Sequence, residues 1–361
     1  MLYLLAAFKK TSGVFNIFQY ITFRAAGAAV TSLLFSLLMG PRFIEFLRKK
    51  KMGQIQRKDG PQSHLPKHGT PTMGGVLIFF AVSLSAVLWM RPDDRFTHLM
   101  LIASAILAAL GFWDDYVKFS AKNPSGISSR SKFLIQSASA LLIVFYLALF
   151  PPNPEYATIL SVPYGKEIFI NFGRFYFILA TLMIVGSSNA VNLTDGQDGL
   201  AIGSVILFAI TYGILAYVVG NLKFASYLRI IHVEGAGEIA VYLSAVVGGS
   251  LGFLWFNAYP AEVFMGDTGS LFLGGIIALA SLCVKQELLL PIAGGIFVVE
   301  TISVILQMGS YKLRKGKRIF KMAPLHHHFE LEGIPEPKVT VRFWIIGIVL
   351  MLIALSSLKM R

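Results

Sequence analysis

The sequence is poor in charge and has only one cysteine. Charged residues make up 14% of the 361 residues, against roughly 25% in soluble globular domains. This scarcity excludes an ordinary soluble protein. The single cysteine, Cys283, excludes an intramolecular disulfide. The first twenty residues lack the charge-then-apolar order and small-residue cleavage site of a signal peptide, so we expect no cleaved leader.

Apolar runs of membrane-spanning length are what the sequence has in abundance. Hydrophobic residues make up 55% of the chain and the mean hydropathy is +0.67. This composition predicts an all-α, polytopic integral membrane protein with about ten transmembrane helices, in a single transmembrane domain over residues 1–361. An even number of helices places both termini on one side. The runs cover 21–40, 74–90, 97–113, 133–150, 174–192, 199–219, 238–256, 269–284, 287–308 and 341–358.

The distribution of lysine and arginine predicts the orientation. Short loops rich in these residues stay cytoplasmic, and three connections, 41–73, 114–132 and 309–340, hold most of them. Both termini are then expected to be external (periplasmic). Topology explains much of the net charge of +13, although anionic headgroups or an anionic substrate would also be attracted. The cations are Arg42, Arg48, Lys49, Lys50, Lys51, Arg57, Lys58, Lys67, Lys118, Lys122, Arg130, Lys132, Lys312, Arg314, Lys315, Lys317, Arg318, Lys321 and Lys338.

Adjacent carboxylates, Asp114 and Asp115, end the third apolar run at the predicted cytoplasmic surface. Negative charge is unfavourable at a helix C-terminus, so we expect a compensating cation nearby. Two solvated aspartates at the end of a helix are the simpler explanation. The other polar clusters of the chain fall on the same side, and this favours a functional site.

Further polar residues follow the fifth run. Asn189, Asn192 and Asp195 recur every three residues and share a helix face. Asp198, in the second of two Asp-Gly steps, is well placed to cap the next helix. Capping explains one aspartate but not two asparagines at membrane depth, where unpaired amides are costly.

Two more clusters lie on the same predicted side. Asp267 stands where the N-cap of the eighth helix belongs, so capping is a strong alternative to a functional role. The last cytoplasmic loop holds the histidines at 326–328. Oxygen ligands with very little sulfur favour Mg²⁺ or Mn²⁺ over zinc, with the histidines donating hydrogen bonds to phosphoryl oxygens. Such a site fits phosphoryl transfer at the membrane surface.

A transporter and a membrane scaffold are the alternatives from other classes. A transporter binds its substrate near the midplane and is commonly built from repeated halves. The sequence shows no internal repeat, and its polar clusters lie at one surface. A scaffold would need no concentration of aspartates, asparagines and histidines on one side.

Five motifs together carry a resemblance to a known family. The chain closely resembles the phospho-N-acetylmuramoyl-pentapeptide transferases, of the polyprenyl-phosphate N-acetylhexosamine-1-phosphate transferase superfamily. The likeness runs nearly from end to end, in motif order and in ten-helix topology. The motifs are KHGTPTMGG (67–75), GFWDDYVK (111–118), NAVNLTDGQDGL (189–200), FNAYPAEVFMGDTGS (256–270) and MAPLHHHFE (322–330).

The resemblance implies transfer of phospho-MurNAc-pentapeptide from UDP-MurNAc-pentapeptide to undecaprenyl phosphate, giving lipid I and UMP. This is the first membrane step of peptidoglycan synthesis, and it serves cell wall biogenesis, cell shape and cell division. The implied cofactor is Mg²⁺, and the implied location is the bacterial inner (cytoplasmic) membrane with the active site on the cytoplasmic side. Membrane lipids are expected partners, a homodimer is compatible with the resemblance, and nucleic acid is not a partner.

The resemblance also implies residue roles. Asp114 is the candidate base for the lipid phosphate, Asp115 supports it, Asp267 is the magnesium ligand, and His326 is the fourth catalytic candidate. A covalent aspartyl-phosphate route stays open as an alternative. Candidate substrate-binding residues are Lys67, Thr70, Thr72, Lys132, Asn189, Asn192, Asp195, Asp198, Asn257, His327 and His328.

An isoprenoid acceptor leaves the bilayer only at high cost, about 0.8 kcal/mol per buried CH₂. We therefore expect a groove between helices that opens to lipid near the site. The ninth run contains Pro291, Gly294, Gly295 and Glu300, and we expect this helix to bend or break. Glu300 is either a residue of the groove or site, or a carboxyl satisfied inside the bundle, which is slightly favoured.

Overall fold

The computed structural model describes residues 1–10, 12–50, 52–53, 67, 69–120, 126–165 and 168–359. Its long helices are α1 (Ile21–Lys49), α2 (Gly75–Trp89), α3 (Arg95–Ser120), α4 (Ser129–Leu149), α5 (Phe175–Thr194), α6 (Leu200–Val219), α8 (Ala236–Asn257), α9 (Gly266–Cys283), α11 (Gly295–Leu313) and α13 (Glu336–Ser356). Three short helices are α7 (Leu222–Leu228), α10 (Leu290–Ala293) and α12 (Leu325–Leu331). Strands β1 (Ile159–Ser161) and β2 (Phe169–Asn171) form one antiparallel hairpin.

The prediction of an all-α polytopic membrane protein is confirmed. Within the described residues, nine helices are long and apolar enough to cross a membrane, and α2 is an apolar helix of 15 residues. Each of the ten predicted runs overlaps one of these helices or, for the ninth run, the α10–α11 pair. The expected side of the membrane for each end of the bundle remains a prediction.

Helix α9 is the buried centre of the bundle, and it packs against α2, α3, α5 and α6. Nearly all of its side chains are buried. Small residues permit this packing, because glycine lets two helix backbones approach closely. A Cβ at Gly111 of α3 would lie 2.3 Å from the carbonyl oxygen of Asp267, and a Cβ at Gly75 of α2 would lie 2.0 Å from the nitrogen of Gly269. These contacts bring the ends of α2 and α3 to the N-terminus of α9.

The ninth apolar run is broken, as predicted. A 3-10 turn (Glu287–Leu289) leads into α10, and Gly294 separates α10 from α11 with a backbone that is not helical (φ −94°, ψ 21°). The break lies beside a cavity of about 250 Å³ between α5, α9 and α11. Apolar side chains line this cavity between helices, and its opening to lipid remains a prediction.

Met1 and Lys359, the first and last described residues, lie at the end of the bundle away from the N-terminus of α9. The amino group of Met1 donates to the carbonyl oxygens of Val87 (2.7 Å) and Leu88 (2.8 Å) at the end of α2. The Lys359 ammonium donates to the Tyr227 hydroxyl at 2.5 Å. This placement agrees with an even number of crossings. Of the predicted cytoplasmic cations, Lys51, Arg57, Lys58 and Lys122 lie outside the described residues.

Candidate active site

Asp115 ties the end of α3 to the start of α9. Its carboxylate accepts hydrogen bonds from the backbone N–H of Asp267 (3.0 Å), the N–H of Thr268 (2.8 Å) and the Thr268 hydroxyl (2.7 Å). These N–H groups have no partner within their own helix, and a negative charge is favourable there. Asp115 therefore caps α9 from a neighbouring helix and fixes where Asp267 lies.

Asp114 is buried, with 1% exposure. Its carboxylate accepts the Ile127 N–H at 2.9 Å, and it pairs with the ammonium groups of Lys118 at 2.8 Å and Lys132 at 3.3 Å. Lys118 follows Asp114 by one helical turn, a spacing that brings the two side chains together. Lys118 and Lys132 thus supply the expected compensating positive charge. The simpler interpretation of two solvated aspartates is wrong.

Asp267 shares both lysines with Asp114. Its carboxylate pairs with Lys118 at 3.1 Å and with Lys132, and it accepts a hydrogen bond from the Asn192 amide at 2.9 Å. Lys118 and Lys132 thus bridge the carboxylates of Asp114 and Asp267. Side chains from α3, α4, α5 and α9 therefore meet at one point, at the end of the bundle where α9 begins.

Asp195 follows α5 and faces the same cluster, and its carboxyl accepts the Gly266 N–H. Burial, and then the nearby carboxylates of Asp267 and Asp115, raise the pKa of Asp195 to about 8. Glycine at 266 is needed, because its φ is +72° and a Cβ there would lie 2.8 Å from Asp115 Oδ2. The four aspartates thus form one acidic group around the start of α9.

A second ionic cluster joins Lys67 to the turn before α6. The Lys67 ammonium donates to Asp198 Oδ1 at 2.6 Å and to Glu336 Oε1 at 2.5 Å. The other oxygen of Asp198 accepts the Ala261 N–H at 3.0 Å. The N-cap position of α6 is occupied by Gly199 without a side-chain cap, so the prediction that Asp198 caps α6 is wrong.

The histidine motif begins α12 and packs against the turn between Asp195 and Asp198. A Cβ at Gly196 would lie 2.3 Å from His326 Nε2 and 3.3 Å from His327 Nε2, so only glycine admits both rings. His326 is fully buried, with its Nδ1 3.2 Å from Glu300 Oε2. His327 Nδ1 lies 2.7 Å from Glu330 Oε2.

Glu300 anchors the histidine helix. Its carboxylate accepts the N–H groups of Leu325 (2.7 Å) and His326 (3.2 Å) at the start of α12. The Glu300 carboxyl finds its hydrogen-bond partners inside the bundle, which is the slightly favoured of the two expectations. Those partners are backbone groups of the histidine motif. His328 points elsewhere, since its Nδ1 accepts the Lys321 N–H at 3.2 Å.

The remaining predicted substrate-binding residues lie around this centre. Thr72 approaches Gly266, Thr70 is half-buried, and His68 of the same motif lies outside the described residues. Asn189 donates to Gln136 Oε1 at 3.0 Å, away from Asp267. Asn257 accepts the Gly199 N–H at 3.1 Å and donates to the Val263 carbonyl at 2.9 Å. Asn257 thus supports the turn before α6.

Sequence reasoning missed three charged or capping contacts of the site. Lys118 was assigned only to topology, although its i+4 spacing from Asp114 was a usable signal. Glu336 gave no sequence signal, because its partners are more than 130 residues away. Asp267 was expected as an N-cap, but the N-cap position is Met265 and the capping carboxylate is that of Asp115. That alternative for Asp267 is wrong.

The aspartates around the start of α9 offer oxygen donors for a divalent cation. Across the described residues, no three His, Cys, Asp or Glu side chains form a ready metal-binding group. Mg²⁺ is commonly held by one or two carboxylates together with substrate phosphates, so such a group is not required. The four aspartates outnumber the two lysines that face them, and burial together with the neighbouring carboxylates raises the pKa of Asp195. Oxygen donors with excess negative charge fit a hard cation.

The comparisons with known proteins agree with this site. A polytopic helical bundle with buried carboxylates and lysines at one end defines a membrane protein suited to phosphate esters. Residues 97–285 match glycosyl transferase family 4, and residues 67–79 match signature 1 of the phospho-N-acetylmuramoyl-pentapeptide-transferases. A phospho-N-acetylmuramoyl-pentapeptide-transferase from Endomicrobium trichonymphae is 54% identical over 347 residues, 96% of each chain. The chain belongs to the phospho-N-acetylmuramoyl-pentapeptide-transferase family.

Proposed function

We propose that the protein transfers phospho-MurNAc-pentapeptide from UDP-MurNAc-pentapeptide to undecaprenyl phosphate in peptidoglycan synthesis. An oxygen of the lipid phosphate forms a bond to the sugar-bearing phosphorus, the bond between that phosphorus and the bridging oxygen breaks, and UMP leaves. Lipid I is the other product. The observation that carries this proposal is the pair Lys118 and Lys132 shared between Asp114 and Asp267, beside an apolar cavity.

The lysines and aspartates divide the work of phosphoryl transfer. Such transfer depends mainly on positioning and charge stabilisation. Lys118 and Lys132 hold the phosphates, and Asp115 holds the start of α9 so that Asp267 faces them. Asp114 acts as the base for the lipid phosphate. That phosphate has a second pKa of about 6, so little proton remains to be removed near neutral pH. Since this leaves the base little to do, Asp114 also orients Lys118 and Lys132 through its ion pairs with them.

Mg²⁺ is the proposed cofactor, and Asp267 with Asp195 would hold it. When bound, the ion supplies charge neutralisation at the transferred phosphate. Asn192 orients Asp267 through the hydrogen bond at 2.9 Å, and His326 with His327 lies against the turn that presents Asp195. The second cluster, Lys67 with Asp198, binds the nucleotide sugar. Thr70, Thr72, Asn189, Asn257 and His328 complete the substrate-binding region directly or through their neighbours.

The cavity between α5, α9 and α11 receives the isoprenoid tail. Its lining is almost entirely apolar, from Leu182 to Val191 on α5 and from Gly294 to Ile302 across the break. It reaches Val191, the neighbour of Asn192, so a tail lying in it brings its phosphate towards Asp267. This explains why the carrier need not leave the bilayer to react.

The site end of the bundle faces the cytoplasm of a bacterial inner membrane in this proposal. Lys118, Lys132 and Lys312 lie in the terminal turns of α3, α4 and α11 at that end, and Lys321 lies on the connection after α11, a distribution that fits the positive-inside rule. UDP-linked substrates are then available on the same side. The chain works as one transmembrane unit over residues 1–361, surrounded by membrane lipids and compatible with a homodimer.

The test is release of UMP by the purified full-length protein in detergent or vesicles. We expect release from UDP-MurNAc-pentapeptide only when undecaprenyl phosphate and Mg²⁺ are both present. UMP release without the lipid acceptor, or none with all three components, would exclude the proposal. Uptake of substrate into sealed vesicles without UMP release would favour a transporter. A phosphorylated protein trapped during turnover would favour the covalent route.

A further inference from the structure

Glu336 lies beside the proposed nucleotide-sugar site and has no role in the reaction as described so far. It is the first residue of α13, and its side chain is 6% exposed. One oxygen, Oε1, accepts two hydrogen bonds, from the Lys67 ammonium at 2.5 Å and from the Asp198 backbone N–H at 2.8 Å. Glu336 thus contacts both members of the second ionic cluster.

The position of this carboxylate is unusually well fixed. Pro335 precedes Glu336 at the N-cap of α13 with φ −58° and ψ 139°, and Pro337 follows it. A proline ring fixes its own φ, and it restricts the residue before it. The same helix makes a second hydrogen bond to Asp198, from the Thr340 hydroxyl to the Asp198 carbonyl oxygen at 3.3 Å. Helix α13 therefore presents Glu336 to the turn before α6 as a rigid group.

The orientation of the Lys67 ammonium depends on its ion pair with Glu336. A lysine ammonium has three N–H donors on a flexible stem. Among the described residues, Glu336 and Asp198 each accept one of these donors. Both carboxylates are nearly buried, with side-chain exposures of 6% and 1%. With two N–H groups held by fixed acceptors, the ammonium has one N–H left to donate to a substrate.

We infer that Glu336 is a positioning residue of the nucleotide-sugar site, acting through Lys67. This inference rests on the proposed function, because it assumes that Lys67 contacts UDP-MurNAc-pentapeptide. Glu336 contacts no substrate in this account and takes no part in the bond changes. Removing its charge should weaken binding of the nucleotide sugar and leave the lipid acceptor and the chemical step unaffected.

The test is a set of four proteins: the unchanged chain, Glu336→Gln, Lys67→Gln and the double variant. Glutamine keeps an oxygen for the Asp198 N–H, so Glu336→Gln removes mainly the ionic bond to Lys67. We expect it to raise KM for UDP-MurNAc-pentapeptide about tenfold, as for the loss of a hydrogen bond to a charged group. kcat and KM for undecaprenyl phosphate should change less than threefold by comparison. The double variant should match Lys67→Gln, because glutamine at 336 keeps the contact with the Asp198 N–H and only the contact with Lys67 is lost.

Glu332→Gln is the matched control. Glu332 is an exposed acid four residues earlier and pairs with Lys321 at 2.7 Å, so we expect unchanged kinetics. Thermal unfolding of each variant reports on folding. If Glu336→Gln does not fold, Glu336→Asp is the second variant. It keeps the charge but moves the carboxylate away from Lys67 by the length of one methylene, and we expect the same rise in KM for UDP-MurNAc-pentapeptide.

Three results would overturn the inference. One is an unchanged KM in Glu336→Gln, a second is a fall in kcat alone, and a third is a double variant whose KM shows the product of the two single effects. An inactive unchanged chain would instead refute the proposed function, and this inference with it. An active unchanged chain with any of the three results refutes the inference alone.

Discussion

Asp114 and Asp115 are neighbours in sequence, yet their carboxylates have different partners. The Asp115 carboxylate accepts hydrogen bonds from backbone and hydroxyl donors at the start of α9. Asp114 is held by two lysines and one N–H. At this scale, we propose that Asp115 is a positioning residue and that Asp114 acts on the phosphates.

Replacing Asp114 by asparagine tests its assignment. The amide keeps the shape but removes the negative charge that holds Lys118 and Lys132. We expect Asp114→Asn to lower kcat by about 10²-fold or more, the lower range for loss of an acid–base group. The measurement is UMP release at a pH where the lipid phosphate is dianionic.

Asp93→Asn is the control for this variant, since Asp93 is an exposed acid at the opposite end of the bundle, paired with Arg91. It should retain normal turnover. Near-normal turnover of Asp114→Asn under the same conditions would exclude the base role. Equal losses in both variants would show a general effect of charge on the protein instead of a local one.

Single residues also show where sequence reasoning stops. The residue types of the site were predictable, since the aspartates, Asn192, Lys132 and the histidines all converge on one end. Their partners were not. Asp198 and Asp267 stand beside helix starts, and local spacing favoured capping for both. Contacts from distant residues decided otherwise, and Asp115 and Glu336 are separated from their partners by more than 130 positions.

At the scale of the helices, the geometry of the site depends on the close contact between α3 and α9. A Cβ at Gly111 would lie 2.3 Å from the Asp267 carbonyl oxygen and 2.6 Å from the Thr268 Cα, so backbone atoms would have to move. We expect Gly111→Ala to destabilise the protein by about 1–3 kcal/mol, as for overpacking elsewhere. It should also lower UMP release, because the shift separates Asp114 from Asp267. Thermal unfolding and turnover are the measurements.

Gly309→Ala in α11 is the matched glycine variant, because a Cβ there meets nothing within 4 Å. Alanine is favoured over glycine inside a helix by about 0.5–1 kcal/mol, so this variant should be at least as stable as the unchanged chain. If Gly111→Ala behaved in the same way, the close approach of α3 to α9 would not determine the geometry of the site.

The break between α10 and α11 gives a prediction for the lipid acceptor. Val298 lines the cavity, so tryptophan there fills part of it. We expect Val298→Trp to raise KM for undecaprenyl phosphate about tenfold, the effect of roughly 1.4 kcal/mol, and to leave KM for UDP-MurNAc-pentapeptide unchanged.

Ile305→Trp provides the comparison, because Ile305 lies further along α11 with 62% exposure, outside the cavity. It should change neither KM. A normal KM for the acceptor in Val298→Trp, or a rise in both variants alike, would contradict the assignment of the cavity to the tail.

Elements were easier to predict than their contacts. Apolar runs located the ten long helices, and proline with two glycines indicated the break at Gly294. The sequence did not show that α9 is the central helix, since its apolar run is among the shortest. Its burial follows from small residues, which allow four neighbours to approach, and their packing partners lie far away in the chain.

For the whole molecule, the central claim is that residues from α3, α4, α5 and α9 form one site at one end of the bundle. Four carboxylates there face two ammonium groups, and the excess of negative charge fits a divalent cation. Charge of this kind has no sequence signature, because it depends on which distant residues meet. The net charge of the chain, +13, even has the opposite sign.

Binding of Mn²⁺, used as a spectroscopic substitute for Mg²⁺, tests this claim most directly. The full-length protein is titrated in the presence of UDP-MurNAc-pentapeptide, and bound Mn²⁺ is followed by electron paramagnetic resonance. We predict one site that competes with Mg²⁺, is lost in Asp267→Asn and persists in Asp93→Asn. Undiminished Mn²⁺ binding to Asp267→Asn would contradict the account.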